Sequence, residues 1–245
     1  MNDTIDYQIV TEHMTSVVNP QLRGMDGLVP TWNFIVILVA IAMLLLNKQF
    51  FTQRFRAMIT MFVQPSDAQK MTREWNPVTS LNGLSIVIVY IALMALILQK
   101  TVLAFTGKYM LYGSLDFYFD ICVYIAAYLV VQYLVATFVG WLFGFEAATS
   151  HHEVLHLSAA AVLDIVTVVL SMVVIFYPFK GFLVFSLIII GLITVVRLVK
   201  TFFEVQILSK MNLYKNFLYF CALEIIPVSI AVTMVMRLIV SGCVL

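Results

Sequence analysis

Charge is what this chain has least of. Only 11% of its 245 residues are Asp, Glu, Lys or Arg, less than half the ~25% of an average soluble domain, while 62% are hydrophobic. No soluble fold of this length could bury so much apolar surface. The net charge is near zero, at +1, and the basic residues are dispersed rather than gathered into the patch that a phosphate backbone requires. Nucleic acid is therefore excluded as a partner. Cysteine is scarce as well: Cys122 and Cys221 fall inside apolar runs and Cys243 near the end, with no C-x-x-C and no even set. Neither a disulfide framework nor a cysteine metal site is expected, and the three thiols read as small apolar residues. A cleaved leader needs a basic start and an early apolar run. Here the first stretch is acidic and polar (Asp3, Asp6, Glu12) until about Asn33, so the chain is expected to remain uncleaved.

What is abundant is long apolar runs. A bilayer core of about 30 Å needs roughly twenty apolar residues per helix, and six segments qualify, at about 31–47, 81–99, 117–143, 157–178, 181–200 and 216–240. They are too long and too uniformly apolar for barrel strands, so they are helices. The expected fold is an all-α polytopic membrane protein of about six transmembrane helices, with the lipid bilayer its first partner. Residues 1–30 form an external tail and 31–245 a single transmembrane domain.

Lys and Arg in the short loops set the orientation. With the N-terminus outside, Lys48, Arg54, Arg56, Lys70, Arg73, Arg197, Lys200, Lys210 and Lys215 lie in the cytoplasm, against Arg23, Lys100, Lys108, Lys180 and Arg237 outside. Both termini are therefore expected outside. In the longest connection, Phe50, Phe51, Phe55, Met58, Ile59, Phe62 and Val63 recur at helical spacing, opposite Gln53, Arg56 and Thr60. That pattern predicts an amphipathic helix over 49–63 in the cytoplasmic interface. Pro65 ends it, and Ser66 with Gln69 resembles a capping box for a second short helix before Asn76-Pro77.

The sharpest local motif is His152-Glu153-Val154-Leu155-His156, an H-E-x-x-H at the start of the fourth span. On a helix it sets two imidazoles on one face, able to hold zinc, with Glu153 placed to take a proton from metal-bound water. Over these five residues it resembles intramembrane site-2-class zinc proteases. Those place a small residue before the second His, where this chain has Leu155, and draw a third ligand from a later helix, for which no Asn-Pro-Asp-Gly or Leu-Asp-Gly follows. The plainer reading is a polar helix start with Glu153 in its first turn.

Carboxylates inside the spans come next, because an ionised group at the bilayer centre costs at least about 2.5–3.5 kcal/mol. Asp120 lies near the outer end of the third span, Asp164 inside the fourth and Glu224 inside the sixth. Three residues after Glu224, Pro227 removes a backbone donor and kinks the helix. Arg197 and Glu204 lie near the cytoplasmic end of the fifth segment, which is expected to run on past Lys200. Antiparallel packing brings Arg197 to the depth of Glu224, as a structural ion pair or as part of a proton or ion path. Gly140-x-x-x-Gly144 permits close helix approach. No bis-His haem is expected, because histidine clusters on one span only.

The segment from Tyr214 to Pro227, YKNFLYFCALEIIP, resembles the closing signature of a multi-pass family of Bacteroidota inner-membrane proteins defined only as a domain of unknown function. The resemblance carries over Tyr219, Glu224 and Pro227 as that family's marked positions. It implies a Gram-negative inner membrane, so that the outside is the periplasm and both termini are periplasmic, and it brings no activity with it. By exclusion, the expected role is a non-enzymatic inner-membrane subunit or accessory factor of a larger complex with membrane-protein partners, for protein export or envelope biogenesis. An intramembrane zinc metalloprotease and a small-solute or proton-coupled transporter are the alternatives.

Overall fold

The computed structural model describes residues 31–63, 80–106, 113–143, 146–176 and 180–209, all of them helical apart from short bends. Helix α1 is Thr31–Phe50, α2 Thr52–Val63, α3 Leu81–Thr106, α4 Leu115–Phe143, α5 Glu146–Phe176 and α6 Lys180–Ser209. Five of these, all but α2, are long and apolar enough to cross a membrane. The architecture is that of a multi-helix membrane protein. The sixth expected span, 216–240, and the short helix expected after Pro65 lie outside the described residues.

Local chemistry sets the helix ends. Ser80 and Ser114 cap α3 and α4, their hydroxyl oxygens accepting from the Gly83 and Phe117 amides at 3.1 and 3.2 Å, the third amides of their helices. Between α1 and α2 the backbone ladder is not lost: the Phe51 amide still donates to the Asn47 carbonyl at 3.0 Å, and the Phe55 amide to Phe51 at 2.8 Å. The Thr52 hydroxyl also donates back to the Lys48 carbonyl at 2.6 Å, an interaction that bends helices. The junction is therefore a kink. Gln49 and Phe50, expected in the amphipathic helix, belong instead to α1.

Successive spans alternate in direction. At one end of the bundle Ile37 of α1 packs with Ala95 and Leu96 of α3, Tyr118 of α4 and Ile175 of α5, and the Trp32 and Tyr118 rings lie 5.0 Å apart. At the other end the Ser85 hydroxyl donates to Asn47 Oδ1 at 2.8 Å, and Phe55 and Met58 of α2 meet Ile86 of α3 and Leu157, Ala160 and Ala161 of α5. The apolar face of α2 is thus buried on its own bundle, leaving Gln53, Arg54 and Arg56 exposed.

Helix α5 is the axis: it touches all five other helices, and 61% of its span is buried, against 17% for α4. Hydrophobicity cannot drive this in lipid, where the tails are as apolar as the side chains, so close packing of small residues has to. The run Ser158, Ala159, Ala160, Ala161 is at most 4% exposed. It lets α2 approach so closely that the Ser158 hydroxyl donates to the Met58 carbonyl at 2.6 Å.

Ser158 tests this packing. Ser158→Ala is expected to cost about 1 kcal/mol, the net worth of one hydrogen bond, read as thermal unfolding in detergent. Ser158→Leu has no room and should lift α2 off. A cysteine replacing buried Met61, in a background free of native cysteines, then becomes reactive to water-soluble maleimide. A Met61→Cys thiol that stays unreactive beside Ser158→Leu would show that α2 is not held this way.

Candidate functional site in the bundle core

Apolar packing in this bundle encloses an unusual amount of polar chemistry. Asp164 is 1% exposed, and neither carboxyl oxygen has a hydrogen-bond partner. It sits at the midpoint of the span His152–Phe176, about 18 Å from either end at 1.5 Å per residue. Thr167 and Ser171 follow one and two turns on, equally buried, with hydroxyls that also lack a partner. These spacings of three and four residues return to one helix face. Asn33 of α1 is fully buried with neither amide atom bonded.

Toward the N-terminus of α5 lies the H-E-x-x-H. His152 is buried, and Glu153 and His156 are half-buried. The motif is not at a helix start, because α5 begins at Glu146. Glu153 therefore stands in the third turn and gains nothing from the unpaired amides of the first. The two histidines lie one turn apart as the spacing requires. Among the described residues no group of three or more His, Cys, Asp or Glu side chains gathers to hold a metal ion. Asp164, eight residues beyond His156, is about 12 Å away along the axis.

Close to this turn is a basic cleft. Phe62 of α2, Leu155 of α5 and Arg197, Lys200 and Thr201 of α6 line it. The Lys200 ammonium donates to the Phe62 carbonyl and sits 5.0 Å from the centre of the Phe62 ring, a cation–π distance. Arg197 is buried at 8% exposure. As expected, α6 continues past Lys200 and carries Glu204. Tyr219 and Glu224, the other members of the expected polar cluster, and the expected kink at Pro227 lie outside the described residues. The structure thus separates Asp164, at mid-span, from Arg197, which stands at the level of the histidines.

Thr167 and Ser171 were the residues that single-residue inspection missed. The signal for them was available, since a hydroxyl three and seven positions after an intramembrane acid lies on the acid's own face. Asn47 was passed over similarly; its link to Ser85 crosses between helices and leaves no local trace.

A bundle of long apolar helices with buried polar residues at its axis defines the class, an integral membrane protein with an intramembrane polar core. Over residues 33–235 the chain matches the family described as a domain of unknown function (DUF4271), and it belongs to that family. No curated protein and no solved structure matches it.

The histidines carry a direct expectation. Metal analysis of the purified protein should find no stoichiometric zinc, and His152→Ala with His156→Ala should leave the metal content unchanged. Stoichiometric zinc that the double substitution removes would establish a metal centre on α5.

Proposed function

We propose that this chain is a non-enzymatic subunit or accessory factor of a larger inner-membrane complex, serving protein export or envelope biogenesis. Its six spans include 216–240, both termini face the periplasm, and α2 lies at the cytoplasmic interface with Arg54 and Arg56 toward the headgroups. The observation that carries the reading is Tyr124. It is 63% exposed on α4, nine residues into the span Leu115–Phe138, about 13 Å along the helix and inside the hydrocarbon, about a turn and a half outward of the level of Asp164. Tyrosine facing lipid belongs at the membrane–water boundary, where its hydroxyl finds a partner. Within the hydrocarbon lipid offers none, and an unmet hydroxyl there is costly.

A protein neighbour resolves the cost. Asp120, one turn away, is exposed on the same side of α4, and on this reading the neighbour is a transmembrane helix of another protein, rather than the span 216–240 of this chain, bearing a hydrogen-bond donor at this depth. Side chains of this kind join helices in membranes. With few residues outside the bilayer and no soluble domain expected, the work of such a subunit is done within or against the membrane.

Co-purification in mild detergent tests the role. The wild-type chain should carry a stable membrane partner that Tyr124→Leu and Asp120→Leu each weaken while the chain itself stays folded. A wild-type chain that purifies alone, with Tyr124→Leu more stable than wild type, would mean that α4 faces only lipid. Topology is checked separately: reporters fused after residues 65 and 208 should read cytoplasmic, and those at 110 and 245 periplasmic. A cytoplasmic C-terminus would overturn the span count or the orientation.

A further inference from the structure

The polar residues of α5 are not scattered. At 100° per residue, Glu153, His156, Asp164, Thr167 and Ser171 fall within roughly 80° of one another around the helix. From Glu153 to Ser171 they extend about 27 Å, close to the thickness of the hydrocarbon core. Within that arc, between His156 and Asp164, stands Ala160, 4% exposed, the smallest side chain that a helix favours there.

This face is walled on both flanks. Leu157, Ala161 and Val168 meet α1, α2 and α3 on one side, and Leu163 and Leu170 meet α3 and α6 on the other. The polar stripe therefore looks inward, and its central acid is closed off from lipid.

We propose that Asp164 is a proton-binding site at the centre of the bundle, loaded and emptied along the polar face of α5. This inference rests on α5 crossing the bilayer and not on the partner surface of α4.

The facing groups fit that role. Tyr90 of α3 packs against both apolar clusters beside the acid and is the titratable group α3 presents near this depth. From α1 the neighbours are apolar, Ala40, Ile41 and Leu44. Helix α2 contributes Arg54 and Arg56, both exposed and turned away from the core. The register set by Ile175 against Tyr118 and Ile121 brings Tyr128 and Gln132 of α4 level with Asp164. On α6 Leu187, Ile190 and Ile193 pack with Leu163 and Leu170, the buried Ser186 hydroxyl donates to its own helix at the Phe182 carbonyl at 2.8 Å, and the charges, Arg197, Lys200 and Glu204, lie toward the histidine end. Among the described residues no cation is placed against the carboxyl, and the proton proposed here is what would offset its charge.

A proton is also the ligand that the donor set selects. A hard cation such as calcium or magnesium asks for about six or more oxygen ligands, whereas within two turns of Asp164 this face supplies one carboxyl and two hydroxyls, and the carbonyls of a regular helix are engaged in its own ladder. A proton needs the carboxyl alone. Thr167 and Ser171 act as positioning residues, able to pass hydrogen bonds toward one end, while His156 and Glu153 stand toward the other.

The test uses the full-length protein in lipid vesicles, with dicyclohexylcarbodiimide as a probe that adds to protonated carboxyls buried in an apolar setting. Near neutral pH the wild-type chain should be modified at Asp164, located by peptide mass spectrometry. Asp164→Glu should keep the modification and Asp164→Asn should lose it. Infrared spectra should show a protonated carboxyl band that disappears in Asp164→Asn and shifts when wild-type vesicles are moved into heavy water. Thr167→Val with Ser171→Ala should slow that shift severalfold without removing the band. Absence of the band from folded wild-type protein would show an ionised structural carboxylate. A band that never shifts in heavy water would show a sealed acid that exchanges no proton, and either result overturns the proposal.

Discussion

Everything in this bundle depends on α5 being enclosed. In lipid an apolar helix gains nothing by touching another apolar helix, so the assembly needs close packing and polar contacts to hold a specific arrangement. Helix α5 supplies both. Its alanine run admits α2 and α3 to short range, its Ser158 hydroxyl bonds the α2 backbone, and its remaining faces receive α1, α4 and α6. Enclosure also permits the acid. On the exposed face of α4, which holds Val123, Tyr124, Val130 and Val131, a carboxyl at mid-span would meet hydrocarbon.

The contrast between α5 and α4 divides the molecule by task. The inner helix carries Asp164, Thr167 and Ser171 where no lipid reaches them. The outer helix presents Tyr124 and a broad apolar surface including Val123, Val130, Val131 and Phe138, suited to meeting a neighbour in the plane of the membrane. The proposed proton site in the core and the proposed contact surface at the edge lie on different helices, so one does not depend on the other.

How far this was legible in the sequence depends on what signal each feature leaves. The apolar runs found the five described spans, because the hydrocarbon thickness fixes the length a helix must have. The fourth run is expected from 157, whereas the apolar span of that helix begins at His152 and the helix itself at Glu146, since His151, His152, Glu153 and His156 break the hydropathy without breaking the helix. For the same reason Glu153 was expected in a first turn it does not occupy. The amphipathic helix showed in its spacing, but the pattern names an apolar face and not what covers it; here Leu157, Ala160 and Ala161 do. Asp164 was evident as an intramembrane acid. That its oxygens meet no donor could not be read from the chain, because the sequence does not say which residues of α3 and α6 pack beside it.

The central claim, that α5 is the enclosed axis, is tested most directly by photolabelling with a lipid-soluble carbene precursor in reconstituted membranes, with insertion sites read residue by residue. With the chain reconstituted alone, enclosure predicts dense labelling along the exposed face of α4, at Phe119, Val123, Tyr124, Val130 and Leu134, and labelling of α5 confined to its exposed positions Ile165, Val169 and Phe176. Labelling of α5 at Leu157, Ala161, Asp164 and Val168 to the same extent as α4 would place that helix in lipid and contradict the account.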